Sequence, residues 1–115
     1  MEKFRDLIVW RKAHELVLDV YKITEGFPKN EIFCLVSQMR RAAISIPANI
    51  AEGSKRITQK DKHHFMVMAD TSLEELKYYF ILSCDLKYIT SQQGEGLTRE
   101  GREVGMLLNG FMKSI

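Results

Sequence analysis

Between Leu35 and Arg56 apolar side chains recur at the spacing of an α-helix, and this stretch limits the fold more than any other. On an ideal helix, advancing about 100° per residue, Leu35, Met39, Ala42, Ala43, Ile46 and Ile50 share one side. Gln38, Arg41, Ser45, Asn49, Glu52 and Arg56 fill a separate polar arc roughly 80° wide. A strand would repeat every second residue instead. Pro47 sits inside the pattern. There it removes one backbone hydrogen bond and crowds the preceding turn, which costs about 3 kcal/mol. The Ala43 carbonyl loses its usual donor, so the Ser45 hydroxyl, a water or a bend must compensate. Alternatively, one helix ends at Ile46 and the next begins with Pro47 in its first turn. The apolar phase of Ala43, Ile46 and Ile50 runs through the proline, which favours one helix, kinked there, over about Asn30 to Arg56. Gly53 reads as its stop.

Three further helices are expected around it. The first runs from Asp6 or Leu7 to Thr24, with Asp6 as its cap. Trp10, Ala13, Val17 and Val20 form its stripe, Leu16 and Ile23 flank it, and Trp10 reads as a core anchor. Gly26-Phe27-Pro28 ends it with a glycine stop and a proline. Thr58-x-x-Asp61 resembles a capping box for the third helix, Gln59 to Tyr88. Phe65, Ala69, Leu73, Leu76 and Phe80 form its main stripe. Met66, Met68, Tyr79, Leu82 and Leu86 broaden it, so more than one side must be covered, and self-association is the simplest answer. Thr90 to Gly96 reads as a turn. The fourth helix then starts near Thr98 and presents Val104, Leu107, Leu108, Phe111 and Ile115. Gly101-x-x-x-Gly105 lies among charges, so its small residues allow close packing within the bundle or simply weaken the helix. Together these elements predict an all-α, antiparallel, up-down-up-down four-helix bundle.

Size and composition exclude several classes. The 115 residues fit a single domain, 1–115, and 45% hydrophobic content suffices for a core. No stretch approaches the roughly 18 apolar residues of a membrane span, and no long apolar run follows Met-Glu-Lys-Phe-Arg-Asp, so neither a membrane segment nor a signal peptide is expected. Cys34 and Cys84 read as two buried thiols in a reducing compartment. The expected location is the cytoplasm.

Catalytic and metal chemistry find little support. The adjacent His63 and His64 point about 100° apart on a helix and cannot jointly hold one metal. His14 stands alone, Glu52, Glu74 and Glu75 have no meaningful spacing, and HExxH, GxSxG and phosphate-loop motifs are absent. The chain is read as no enzyme, with no cofactor and no metal. Its net charge is only +2, yet residues 40–62 carry six basic and two acidic groups. Arg40, Arg41, Lys55, Arg56, Lys60 and Lys62 are therefore the candidate nucleic-acid-binding residues; a solvated helix end is the plain alternative. The Gln38, Arg41, Ser45, Asn49, Glu52 stripe is either a surface ion-pair row or a polar ladder at a helix or subunit contact.

The block Gln38-x-x-Arg41-Ala42-x-x-Ser45-Ile46-x-x-Asn49-Ile50-Ala51-Glu52-Gly53 closely resembles the four-helix-bundle proteins encoded in intervening sequences of bacterial 23S ribosomal RNA genes. The accessory variability determinant proteins of diversity-generating retroelements are relatives of that family. Trp10-x-x-Ala13-x-x-Leu16-Val17, Phe27-Pro28-x-x-Glu31 and Ser72-Leu73-x-Glu75-Leu76 extend the resemblance over nearly the whole chain. Thr71 and Cys34 depart from it, since glycine is common at both places, and the fourth helix matches only loosely. The resemblance implies a homopentameric ring. It also implies a non-enzymatic module that meets RNA or DNA through a basic surface, with a reverse transcriptase or another protein encoded nearby as a further partner. The alternative is a protein–protein adaptor with no nucleic-acid role.

Overall fold

In a computed structural model that describes residues 3–115, the chain forms four long helices and no strand among the described residues. They are α1 (Ile8–Thr24), α2 (Ser37–Ser54), α3 (Gln59–Asp85) and α4 (Ser91–Ser114). One core draws on all four, with Leu16, Met39, Ile46, Ile50, Leu73, Leu76, Phe80 and Leu108 almost fully buried. Residue pairs fix the seams. Ser72 donates to Ser45 Oγ at 2.8 Å and Ser83 to Met39 Sδ at 3.5 Å between α2 and α3. Lys12 meets Glu103 at 3.4 Å between α1 and α4.

Helix α2 passes Pro47 without ending, and the buried proline ring joins the core. The reading of two helices is thereby excluded. The Ser45 hydroxyl receives Ser72 and, at 2.9 Å, Asn49 Nδ2, which also reaches the Ser45 carbonyl at 2.8 Å. Before α2 the chain is not the regular α-helix expected from Asn30. A 3₁₀ turn, Lys29–Glu31, leads into a wider π-helical turn, Ile32–Val36. Glu31 anchors the junction, accepting from Leu35 N at 3.4 Å and from the Tyr88 hydroxyl at 2.7 Å. The wide turn keeps Leu35 and Val36 buried and leaves Phe33 and Cys34 outside. Cys34 is thus exposed and Cys84 half-buried, and the expectation of two buried thiols is corrected.

Four boundaries also differ from expectation. Asp6 does not cap α1; it lies in a 3₁₀ turn, Lys3–Asp6, and Leu7 is the cap position without a side-chain bond. Phe4 holds that turn, its ring edge-on to Trp10 at 5.2 Å. Helix α2 ends at Ser54, short of Arg56, whereas α1 ends at Thr24 as expected; at neither end is a glycine left-handed, since no glycine has positive φ. Helix α3 ends at Asp85, where Lys87 takes φ 64° and Tyr88 N bonds the Ser83 carbonyl at 2.9 Å. Helix α4 starts seven residues before Thr98, because Thr90 and Gln93 form a reciprocal capping box. Gly94 is buried inside that helix against Cys84, where a Cβ would collide with the thiol. Gly101 and Gly105 bring α4 close to Leu73, as the small-residue spacing suggested.

Candidate nucleic-acid interface

The turn between α2 and α3 is short and firmly held. Lys55 N and Arg56 N still bond the Glu52 and Gly53 carbonyls, at 3.2 and 3.1 Å. Thr58 Oγ1 then accepts from Asp61 N at 3.1 Å and caps α3. Gly53 lets the two helices meet, because an added Cβ would stand 2.9 Å from Phe65 Cβ. Lys62 Nζ reaches back to the Ser54 carbonyl at 3.4 Å. The Arg56 guanidinium lies over the Phe65 ring, 4.6 Å from its centroid, and 3.6 Å from Glu52. Ile57, at the tip of this turn, is 96% exposed. Lys55, Arg56 and Lys60 surround it in sequence and are exposed too.

The fold adds cations from elsewhere in the chain. The Lys3–Asp6 turn packs against α2, and Phe4 shares an apolar trough with Trp10, His14, Ile44, Ala48 and Ala51. That contact carries Lys3 and Arg5 to the C-terminal end of α2, and Arg11 follows in the first turn of α1. The end of α4 arrives at the same place: Gln59 Nε2 donates to the Ile115 carbonyl at 2.6 Å, and His63 Nε2 lies 3.3 Å from it. Lys113 comes with it. Among the described residues, Asp6, Glu52 and Asp61 are the side-chain carboxylates that lie among these cations in sequence.

Arg40 and Arg41 lie elsewhere. At 1.5 Å per residue, Arg40 stands roughly 24 Å along the helix from Arg56. Its Nε donates to Thr24 Oγ1 at 3.0 Å and its Nη2 to the Tyr21 carbonyl at 3.4 Å. The guanidinium also covers the Tyr21 ring at 4.4 Å, so it binds the last turn of α1, where a cation suits the helix dipole. Arg41 is exposed on the same half of α2. The six cations adjacent in sequence are therefore two groups in space.

The polar stripe is also divided. Ser45 and Asn49 form an interhelix network with Ser72 within the chain. Glu52 pairs with Arg56 on the surface, and Gln38 and Arg41 are exposed. Carboxyl groups crowd a different seam. Burial between α1 and α4, then a hydrogen bond with Asp19, push the Glu100 carboxyl up to about 8, helped by Glu15 and Glu103. On α3, a hydrogen bond to Glu75, at 2.7 Å, and burial raise the Tyr79 hydroxyl to about 12. Among the described residues, no three His, Cys, Asp or Glu side chains are grouped to hold a metal ion. Among the described residues, no helix is long and apolar enough to cross a membrane.

The sequence pattern of the 23S rRNA-intervening sequence proteins matches residues 5–110. The chain belongs to that family. Among solved structures, this 23S rRNA-intervening sequence protein is similar to a protein of unknown function from the S23 ribosomal protein family of Bacteroides thetaiotaomicron. The two superpose with a TM-score of 0.85 at 24% identity, over 92% of this chain and 96% of the other, which establishes a shared fold. No functionally curated protein matches the chain.

Sequence reasoning found the Lys55–Lys62 part of this family member's positive end, because those residues are neighbours in the chain. It missed Lys3, Arg5, Arg11 and Lys113, which only helix packing brings there. The one available signal was the basic excess of residues 1–12, four basic against two acidic groups; Met1 and Glu2 of that segment lie outside the described residues.

Proposed function

We propose that this protein is a non-enzymatic, homo-oligomeric module that binds RNA or DNA through the positive end of its helices. The observation that carries the proposal is the gathering of Lys55, Arg56, Lys60 and Lys62 with Lys3, Arg5, Arg11 and Lys113 on one end. Helix stability alone does not call for this arrangement. Lys60 occupies the first turn of α3, where the macrodipole disfavours a cation by about 0.3–1 kcal/mol. Such a surface recognises phosphates rather than base sequence. The bundle itself is, in this proposal, antiparallel and up-down-up-down. The pairs Gly53 with Phe65, Ser45 with Ser72 and Met39 with Ser83 support that, since rising numbers meet falling ones.

The oligomer is a homopentameric ring in this proposal, as the family resemblance implies. Val67, Met68, Tyr78 and Ile81 of α3, with Leu86 just after it, support association, for they remain exposed on the single chain. A ring also repeats the positive end, and repeated weak contacts raise avidity steeply. Two free thiols, Cys34 and Cys84, suit a reducing cytoplasm, which we propose as the site of action. The same exposed apolar residues favour the second reading, a protein–protein adaptor.

Charge reversal separates the two. Lys60→Glu with Lys62→Glu should reduce affinity for a structured RNA at least tenfold at fixed salt, roughly the loss of 1.4 kcal/mol. Unchanged affinity would reject the proposal. Co-purification of a stable protein partner that survives the double reversal would favour the adaptor.

A further inference from the structure

Phosphate contact needs only cations, yet the α2–α3 turn also exposes groups suited to bases. Ile57 is 96% exposed at its tip and packs against nothing in the fold. An isoleucine so placed makes no measurable contribution to the core, while its neighbours are Lys55, Arg56 and Lys60. Beside it, Arg56 covers one face of Phe65, 4.6 Å from the centroid, and His64 meets the same ring edge-on at 5.7 Å. A guanidinium held over a ring is already placed beside the turn, and guanidinium groups stack on bases. Planar groups interleaved with cations characterise surfaces that hold unpaired nucleotides, because every base offers a π-face. In a continuous duplex those faces are stacked away, and only phosphates and groove edges are within reach.

We propose that the α2–α3 turn binds unpaired nucleotides, with Ile57, Arg56 and His64 contacting bases while Lys55 and Lys60 contact phosphates. The inference rests on the nucleic-acid reading above and adds the class of ligand: single strands and loops rather than uninterrupted duplex. An anionic membrane is the other surface that cations around an exposed isoleucine could meet. The turn favours nucleic acid because Ile57 is its sole large apolar group, too little to anchor in lipid, whereas Thr58, Gln59 and His64 beside it are polar side chains.

The test compares two RNAs of equal phosphate number by fluorescence anisotropy, an unstructured oligouridylate and a fully paired duplex. The wild-type protein should prefer the single strand. Ile57→Ala and His64→Ala should each lower the single-strand to duplex affinity ratio, by about five- to tenfold for a lost base contact, with the salt dependence retained. Lys60→Glu should weaken both RNAs and flatten their salt dependence. Equal wild-type affinity for the two RNAs, or an unchanged ratio in Ile57→Ala, overturns this inference while leaving phosphate binding intact. Binding of neither RNA overturns both. Binding to vesicles of phosphatidylserine and phosphatidylcholine that Ile57→Ala abolishes, with no preference for single strands, would assign the turn to a membrane instead. Ile57 is exposed and unpacked, so its replacement leaves the fold intact and the comparison readable.

Discussion

Gly53 shows why residue identity at the α2–α3 junction decides how closely the two helices meet. The sequence pattern presents it as a helix stop, but the helix runs on to Ser54 and the backbone there is ordinary. What the site lacks is room: a Cβ would stand 2.9 Å from Phe65 Cβ, an atom fixed to the backbone of α3. Gly53→Ala must therefore push α2 and α3 apart at the turn. Overpacking of this kind costs about 1–3 kcal/mol, and the better helix propensity of alanine returns about 1 kcal/mol of it. A urea titration should show a lowered midpoint with an unchanged slope. A variant as stable as wild type would mean that the close approach is not a constraint. Such steric facts lie outside any one-dimensional pattern, because they depend on which residue faces the glycine.

At the scale of elements, four helices and their buried faces were legible from periodicity. Ala13, Leu16, Val17 and Val20, or Leu73, Leu76 and Phe80, lie where a 3.6-residue repeat places them. The errors fall where local chemistry competes with that repeat. Gly94 and Gly96 look like a turn, yet the Thr90–Gln93 box starts the helix ahead of them. The π-helical turn at Ile32–Val36 has no periodic signature, and it is what exposes Phe33. The α1–α4 seam was equally hidden, since Asp19 and Glu100 meet only after folding. Burial and that partner raise the Glu100 carboxyl from 4.5 to about 8. The folded protein therefore holds a proton that the unfolded chain has already released. This contribution to stability is full below about 4.5 and is lost as pH rises to about 8. Lys12, paired with Glu15 and Glu103, relieves part of the crowding. Glu100→Gln stays neutral, so thermal melts should show it gaining on wild type from pH 5 to pH 8. Parallel curves would show that Glu100 is ionised throughout.

Across the whole molecule, charge and exposed apolar surface divide between the ends and the sides of the bundle. The chain extends 43 Å along one axis and 24 Å across. Cations collect where α1 and α3 begin and α2 and α4 finish. That asymmetry was only half legible: Lys55 to Lys62 are contiguous, whereas Arg40 is drawn to the end of α1 and Arg5, Arg11 and Lys113 arrive through the fold. The exposed residues of α3 lie along the sides, where neighbours in a ring would cover them. Light scattering at micromolar concentration should accordingly give several times the mass of one chain, and a single-chain mass would remove the assembly from the account. The most direct test of the central claim is the salt dependence of RNA affinity. Three lysines at the α2–α3 turn, Lys55, Lys60 and Lys62, each worth roughly 0.7 in slope against a single strand, give log K falling with log salt at a slope of about −2 or steeper. Reversing Lys60 and Lys62 should flatten that line, and an affinity that does not respond to salt would contradict the account.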